Sequence, residues 1–86
     1  MVNNFLLKEF GDRIRGLRNK EGLSQEQLSF KTGFHRTYIG MIERGERNIS
    51  LTNMAVFAKV FNLTISKLLE FPDSEKLLIQ YQIKTS

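Results

Sequence analysis

The reactive inventory of this 86-residue chain is short. It has no cysteine and a single histidine, His35, which excludes disulfides, thiolate chemistry and multi-histidine metal sites. The carboxylates Asp12, Glu21, Glu26, Glu43, Glu46 and Glu70 form no metal-ligand spacing, and His35 has no nucleophile or second histidine to work with. Neither an enzyme nor a metal or cofactor site is expected. What is left is cationic chemistry. Thirteen Lys and Arg against nine Asp and Glu leave a formal charge of +4 and a pI near 9.7. Nine of those cations lie between positions 5 and 47, beside six acids, so the basic excess sits in the N-terminal half. Such a balance suits an anionic partner, but basic charge alone does not single out nucleic acid.

The elements that must position these groups are helical. At 41% apolar and 26% charged residues the composition is that of one globular domain. No apolar run approaches the ~20 residues needed to cross a bilayer. Residues 1–5 lack a basic region before an apolar core, so no signal peptide is expected and a cytoplasmic protein is. Proline is confined to Pro72. Leu6, Phe10, Ile14 and Leu17 mark one face of a first helix from about Phe5 to Lys20, with Asn4 as its cap. Ser24 and Gln27 form a capping box that opens a second, which ends at Thr32 before Gly33. A third runs from about Arg36 to Arg44, with Ile39 and Ile42 inward and Gly45 as its stop. A fourth follows Ser50 to about Phe61, burying Met54, Phe57, Ala58 and Phe61, with Asn62 as terminator. A fifth follows Thr64, with Ile65, Leu68 and Leu69 as its apolar face. The expected architecture is a compact, mainly α five-helix bundle over 1–71 and a tail over 72–86.

The stretch from Gln25 to Arg44 holds two short helices around a tight turn. Helices that cross steeply need a small residue at the crossing, here Ser29, and one tolerant of positive φ in the turn, here Gly33. Ile39 and Ile42 then lock the second helix onto the first. These are the requirements of a helix-turn-helix.

With those residues in place, the chain resembles the Cro/repressor-type (XRE-like, lambda-repressor-like) helix-turn-helix regulators from about Phe5 to Leu69. The resemblance rests on Ile14-Arg15-Gly16-Leu17-Arg18, Leu23-Ser24-Gln25-Glu26-Gln27-Leu28, Arg36-Thr37-Tyr38-Ile39-Gly40-Met41-Ile42-Glu43-Arg44-Gly45 and Arg47-Asn48-Ile49-Ser50-Leu51. The Arg-Thr-Tyr-Ile start of the third helix also looks like controller proteins of restriction–modification systems. Three positions depart from the pattern: Phe30 in the second helix where a polar, exposed residue is usual, His35 where Ser or Thr usually caps the third, and Ser29 for the commoner Ala.

The resemblance implies a DNA-binding transcription regulator, a homodimer on a pseudo-palindromic operator in double-stranded DNA, with no small-molecule ligand. An antitoxin using the same fold is the alternative. The third helix would enter the major groove, led by Arg36, Thr37 and, a turn later, Met41. Arg36 suits guanine O6 and N7. Thr37 suits a base or a first-turn cap, and Met41 a thymine methyl or the core. Gln25 would clamp a phosphate at the second helix's N-terminus. Tyr38 would donate its hydroxyl to a phosphate or lie half-buried. Arg44, Arg47 and Asn48 would line the DNA backbone or be solvated loop groups. His35 is read as a substitute cap or phosphate neighbour. Arg18 and Glu43 are implied as an ion pair tying the first helix to the third. Phe30 is expected under the tail or the N-terminal arm, or against a partner.

In the tail, Leu77, Ile79, Tyr81 and Ile83 alternate with Gln80, Gln82 and Lys84. That pattern and the β-branched content read as a strand, with only Leu78 misfitting; a helix is the alternative. A lone strand would pair with its copy in a second subunit. Leu68, Leu69, Phe71, Ile79, Tyr81 and Ile83 are the expected dimer contacts.

Overall fold

The computed structural model describes residues 5–71. They form α1 (Phe5–Lys20), α2 (Gln25–Thr32), α3 (Arg36–Glu43), α4 (Leu51–Val60) and α5 (Ile65–Leu68). The expected helices are all present, in the expected order. Their ends are set locally. Ser24 Oγ accepts from the Gln27 N–H at 3.0 Å while Gln27 Oε1 accepts from the Ser24 N–H at 2.8 Å, so the capping box is complete. Ser50 and Thr64 cap α4 and α5 in the same way, through the N–H groups of Asn53 and Lys67. Asn62, at φ 58°, ends the α4 segment in the left-handed region that Asn tolerates. Asn4, Pro72 and the residues beyond it, with the expected strand and the contacts at Ile79, Tyr81 and Ile83, lie outside the described residues.

The turn between α2 and α3 is built as its sequence requires. Gly33 adopts φ 81°, and its N–H donates to the Ser29 carbonyl at 2.9 Å. Thr32 Oγ1 donates to the Leu28 carbonyl and accepts from the Phe34 N–H, fixing the chain's exit direction. Leu28, Ile39 and Ile42 are sealed in the core with Phe10, Ile14, Phe57, Ala58 and Phe61. Phe57 stands at its centre, edge-on to Phe10 at 6.3 Å and tilted against Phe34 at 5.3 Å.

Two corrections follow. Leu68 is wholly buried and Phe71 nearly so, both inside the subunit's own core. Neither is free to form a dimer patch; of the three, only Leu69 is exposed, at 38%. The reason is the shortness of α5. A single turn buried on the bundle directs the side chain of Leu68 inward, and Phe71 follows it to close the end. The second correction concerns crossings. Besides the one at the α2–α3 turn, α1 meets α3 backbone to backbone at Gly11. A Cβ there would stand 2.6 Å from the Glu43 carbonyl oxygen and collide with that of Ile42. No periodicity argument marks Gly11, because the contact is set by tertiary placement alone.

Candidate nucleic-acid interface

The face that α3 turns inward is Ile39, Gly40, Ile42 and Glu43. The opposite face therefore carries Arg36 and Thr37 into solvent, with Met41 half-buried at its edge. His35 caps the helix: its Nδ1 accepts the Thr37 N–H at 3.0 Å. The imidazole does the work that a Ser or Thr oxygen usually does. Arg36 has no carboxylate partner, and the Thr37 hydroxyl no hydrogen bond, among the described residues.

Glu43 is the hub behind this face. Its carboxylate is completely buried and receives Arg18 as a two-toothed fork, Nε to Oε2 at 2.6 Å and Nη2 to Oε1 at 2.9 Å. The third arm of the fork, Arg18 Nη1, donates to the Leu23 carbonyl at 2.9 Å. Gln25 Nε2 donates to Glu43 Oε1 at 3.1 Å, and Arg15 approaches from the outside at 3.5 Å. One carboxylate thus joins α1, the first residue of α2 and the last of α3. Burial pushes the Glu43 carboxyl up, but the hydrogen bonds from Arg18, Gln25 and Arg15 and the Arg18 charge hold it below the ordinary glutamate value. The implied pair of Arg18 and Glu43 is therefore present. Arg15 and Gln25 are additional partners that sequence reasoning missed, since nothing in their spacing points to position 43.

That engagement alters the expected role of Gln25. Its amide N–H is turned inward to Glu43, so its side chain is not a free clamp. What faces outward at this end of α2 is the helix terminus itself, whose first N–H groups have no intrahelical partner. The loop after α3 is also organised. Tyr38 is half-buried, edge-on to Phe34 at 5.0 Å, and its hydroxyl accepts from Asn53 Nδ2 at 3.0 Å, leaving the hydroxyl hydrogen to donate. Arg47 lies over the Tyr38 ring at 5.6 Å. Asn48 Oδ1 accepts the Ile49 N–H, and Arg44 pairs with Glu46 at 3.0 Å. Asn53 had no signature in the sequence. Phe30 is 77% exposed, so no described residue covers it.

The residues brought to one side of the molecule are thus Arg36, Thr37, Met41, Arg44, Arg47 and the α2 N-terminus, on a capped α2–α3 pair. That arrangement defines a helix-turn-helix domain. A sequence model of the helix-turn-helix family matches residues 14–68, and the chain belongs to that family. It is 44% identical over 72 residues to Control protein C.BamHI of Bacillus amyloliquefaciens, covering 83% of this chain and 88% of that protein. The restriction-modification controller protein C.AhdI of Aeromonas hydrophila superposes with a TM-score of 0.69 at 45% identity, covering 72% of this chain and 94% of that one. The controller protein C.Esp1396I, solved as a tetramer with its natural 35 base-pair operator, superposes at 0.68 with 29% identity, covering 88% and 93%. Among the described residues no helix is long and apolar enough to cross a membrane.

Proposed function

We propose that this chain is a sequence-specific DNA-binding transcription regulator of the restriction–modification controller type, working as a homodimer on a pseudo-palindromic operator. The observation that carries this reading is the outward face of α3: among the described residues Arg36 has no carboxylate partner and the Thr37 hydroxyl no hydrogen bond, at the tip of a helix locked from behind by Glu43. Two such helices in successive major grooves sit ~34 Å apart. The relatives named as control proteins, one of them solved on its operator, support the regulator reading and not the antitoxin one. Arg36, Thr37 and Met41 are the base-reading candidates. Tyr38, Arg44, Arg47, Asn48 and the main-chain N–H groups at Gln25 are the candidates for backbone contact. The cytoplasm is the compartment that suits this reading, and no small ligand is required: output follows concentration and operator arrangement. Of the expected dimer contacts that fall among the described residues, Leu69 is the exposed one.

Selection of bound sequences from a random duplex pool tests the reading, and recovery of no symmetric consensus would refute it. On the recovered operator, Arg36→Ala is expected to cost ~1–3 kcal/mol and to relax preference at one position in each half-site. Arg47→Ala is expected to weaken all sequences alike and to lower the salt slope by about one. Titrations of operator and scrambled duplex over a salt series separate the two. Equal loss of specific and non-specific binding in both variants would sink the assignment.

A further inference from the structure

We propose that Glu46 sets the specificity of DNA binding by withholding Arg44 from DNA of arbitrary sequence. The inference rests on the DNA-binding reading above and adds to it a residue that contacts no base. Three observations carry it. First, among the described residues Arg36 and Arg47 have no carboxylate partner, whereas Arg44 does, with Nε 3.0 Å from Glu46 Oε2. Second, the Arg44 guanidinium lies back along α3. A Cβ at Gly40 would be 3.0 Å from Arg44 Nη1 and 3.7 Å from Gln25 Oε1, so the cation lies over Gly40 near the first residue of α2, among the candidate backbone contacts. Third, Glu46 is held there by its own main chain. Its N–H donates to the Met41 carbonyl at 2.9 Å, and the preceding Gly45, at φ 72°, is packed so closely on Lys8 that a Cβ would stand 2.7 Å from Lys8 Cγ. The turn fixes the main chain of Glu46, and its carboxylate pairs with Arg44 in the DNA-free protein.

The consequence is electrostatic. Non-specific affinity comes from phosphate contacts that release condensed counterions, each adding about 0.9 to the slope of log K against log salt. A guanidinium already facing a carboxylate exchanges one anion for another when it meets a phosphate, so its net contribution is small. Arg44 and Glu46 are both half-exposed, and such pairs are weak. A correctly docked operator, which fixes a phosphate at the α2–α3 junction, can displace Glu46; a sliding, loosely placed duplex cannot. Glu46 therefore acts through Arg44 as a positioning residue, lowering background binding more than operator binding.

The test is a double-mutant cycle read by fluorescence anisotropy on a labelled duplex of scrambled sequence, over a salt series, with Glu46→Gln, Arg44→Ala and the double variant. Glu46→Gln is expected to bind this duplex about threefold more tightly at low salt, the scale of an exposed pair, and to steepen the slope by about 0.9. Both changes should vanish in the Arg44→Ala background, and the operator-to-scrambled ratio should fall. A gain that persists undiminished without Arg44 would show a general charge effect and overturn the proposal, as would no gain at all. Should the wild-type chain show no salt-dependent binding, the DNA-binding reading itself fails. Both side chains are surface groups, so melting curves of the variants should overlay the wild type.

Discussion

Glu43→Ala is expected to destabilise the fold by about 3 kcal/mol, the scale of removing one partner from a buried pair. The loss exceeds that of an exposed pair because Arg18 is only 13% exposed and would keep its charge with no carboxylate beside it. Arg18→Ala should also destabilise, but less, since Arg15 and Gln25 still reach the carboxylate. Arg47→Ala, which loses only a stacked surface cation, should unfold near the wild-type midpoint. Urea titration ranks the three, and equal midpoints would remove the bridging role. The same group gives the wild type an acid limit. A carboxyl held below its ordinary value on folding contributes stability that is full above its unfolded pKa, about 4.3, and is lost as pH falls through the lower folded value. Wild-type stability should therefore fall on the acid side of that point, and the fall should be shallower in Glu43→Ala.

A matched pair of glycine substitutions should have opposite signs. Gly11→Ala places a Cβ against the carbonyl groups of Ile42 and Glu43, which are main chain and cannot rotate away. Either α1 or α3 must shift, at the ~1–3 kcal/mol of overpacking or more. Against this, alanine in a helix interior gains about 1 kcal/mol over glycine. The clash is expected to win, for a net loss near 2 kcal/mol. Gly16 lies in the same helix, and a Cβ there would meet nothing within 4 Å. Gly16→Ala should keep the propensity gain and raise the melting temperature. Thermal unfolding of the two decides it; shifts of the same sign would mean that the α1–α3 approach is not what limits position 11. A shift of either helix changes how α3 is seated on α1, so Gly11→Ala is also expected to weaken operator binding.

The contrast between these two glycines shows what a sequence carries. Ser24, Ser50 and Thr64 announce their helices because a cap is a contact three residues long, and Gly33 and Asn62 announce the ends because the left-handed region admits few residue types. The core stripe of α4 was legible for the same local reason, through helical periodicity. Gly11 and Gly16 look identical in the string, since what separates them is a chain segment some thirty residues away. Leu68 was misplaced as a surface contact because one turn of helix has too few residues to define a face. The pairing of Arg18 with Glu43 was legible only through family resemblance. Arg15, Gln25 and Asn53 entered the site through distances that no spacing rule encodes. Arg36 and Thr37 were expected outward through family resemblance, and the inward Ile39 and Ile42 leave that side of α3 to solvent; Arg47 lies beyond the helix, in the loop that follows.

Arg13, on α1, ties that helix to α5. Its Nε and Nη2 donate to the carbonyls of Leu68 and Lys67 at 3.1 and 2.7 Å, closing the end of a four-residue helix too short to form alone. That closure is a latch between the two ends of the described chain. Loss of this contact is expected to loosen Leu68 and Phe71 from the core while the α2–α3 unit stays assembled.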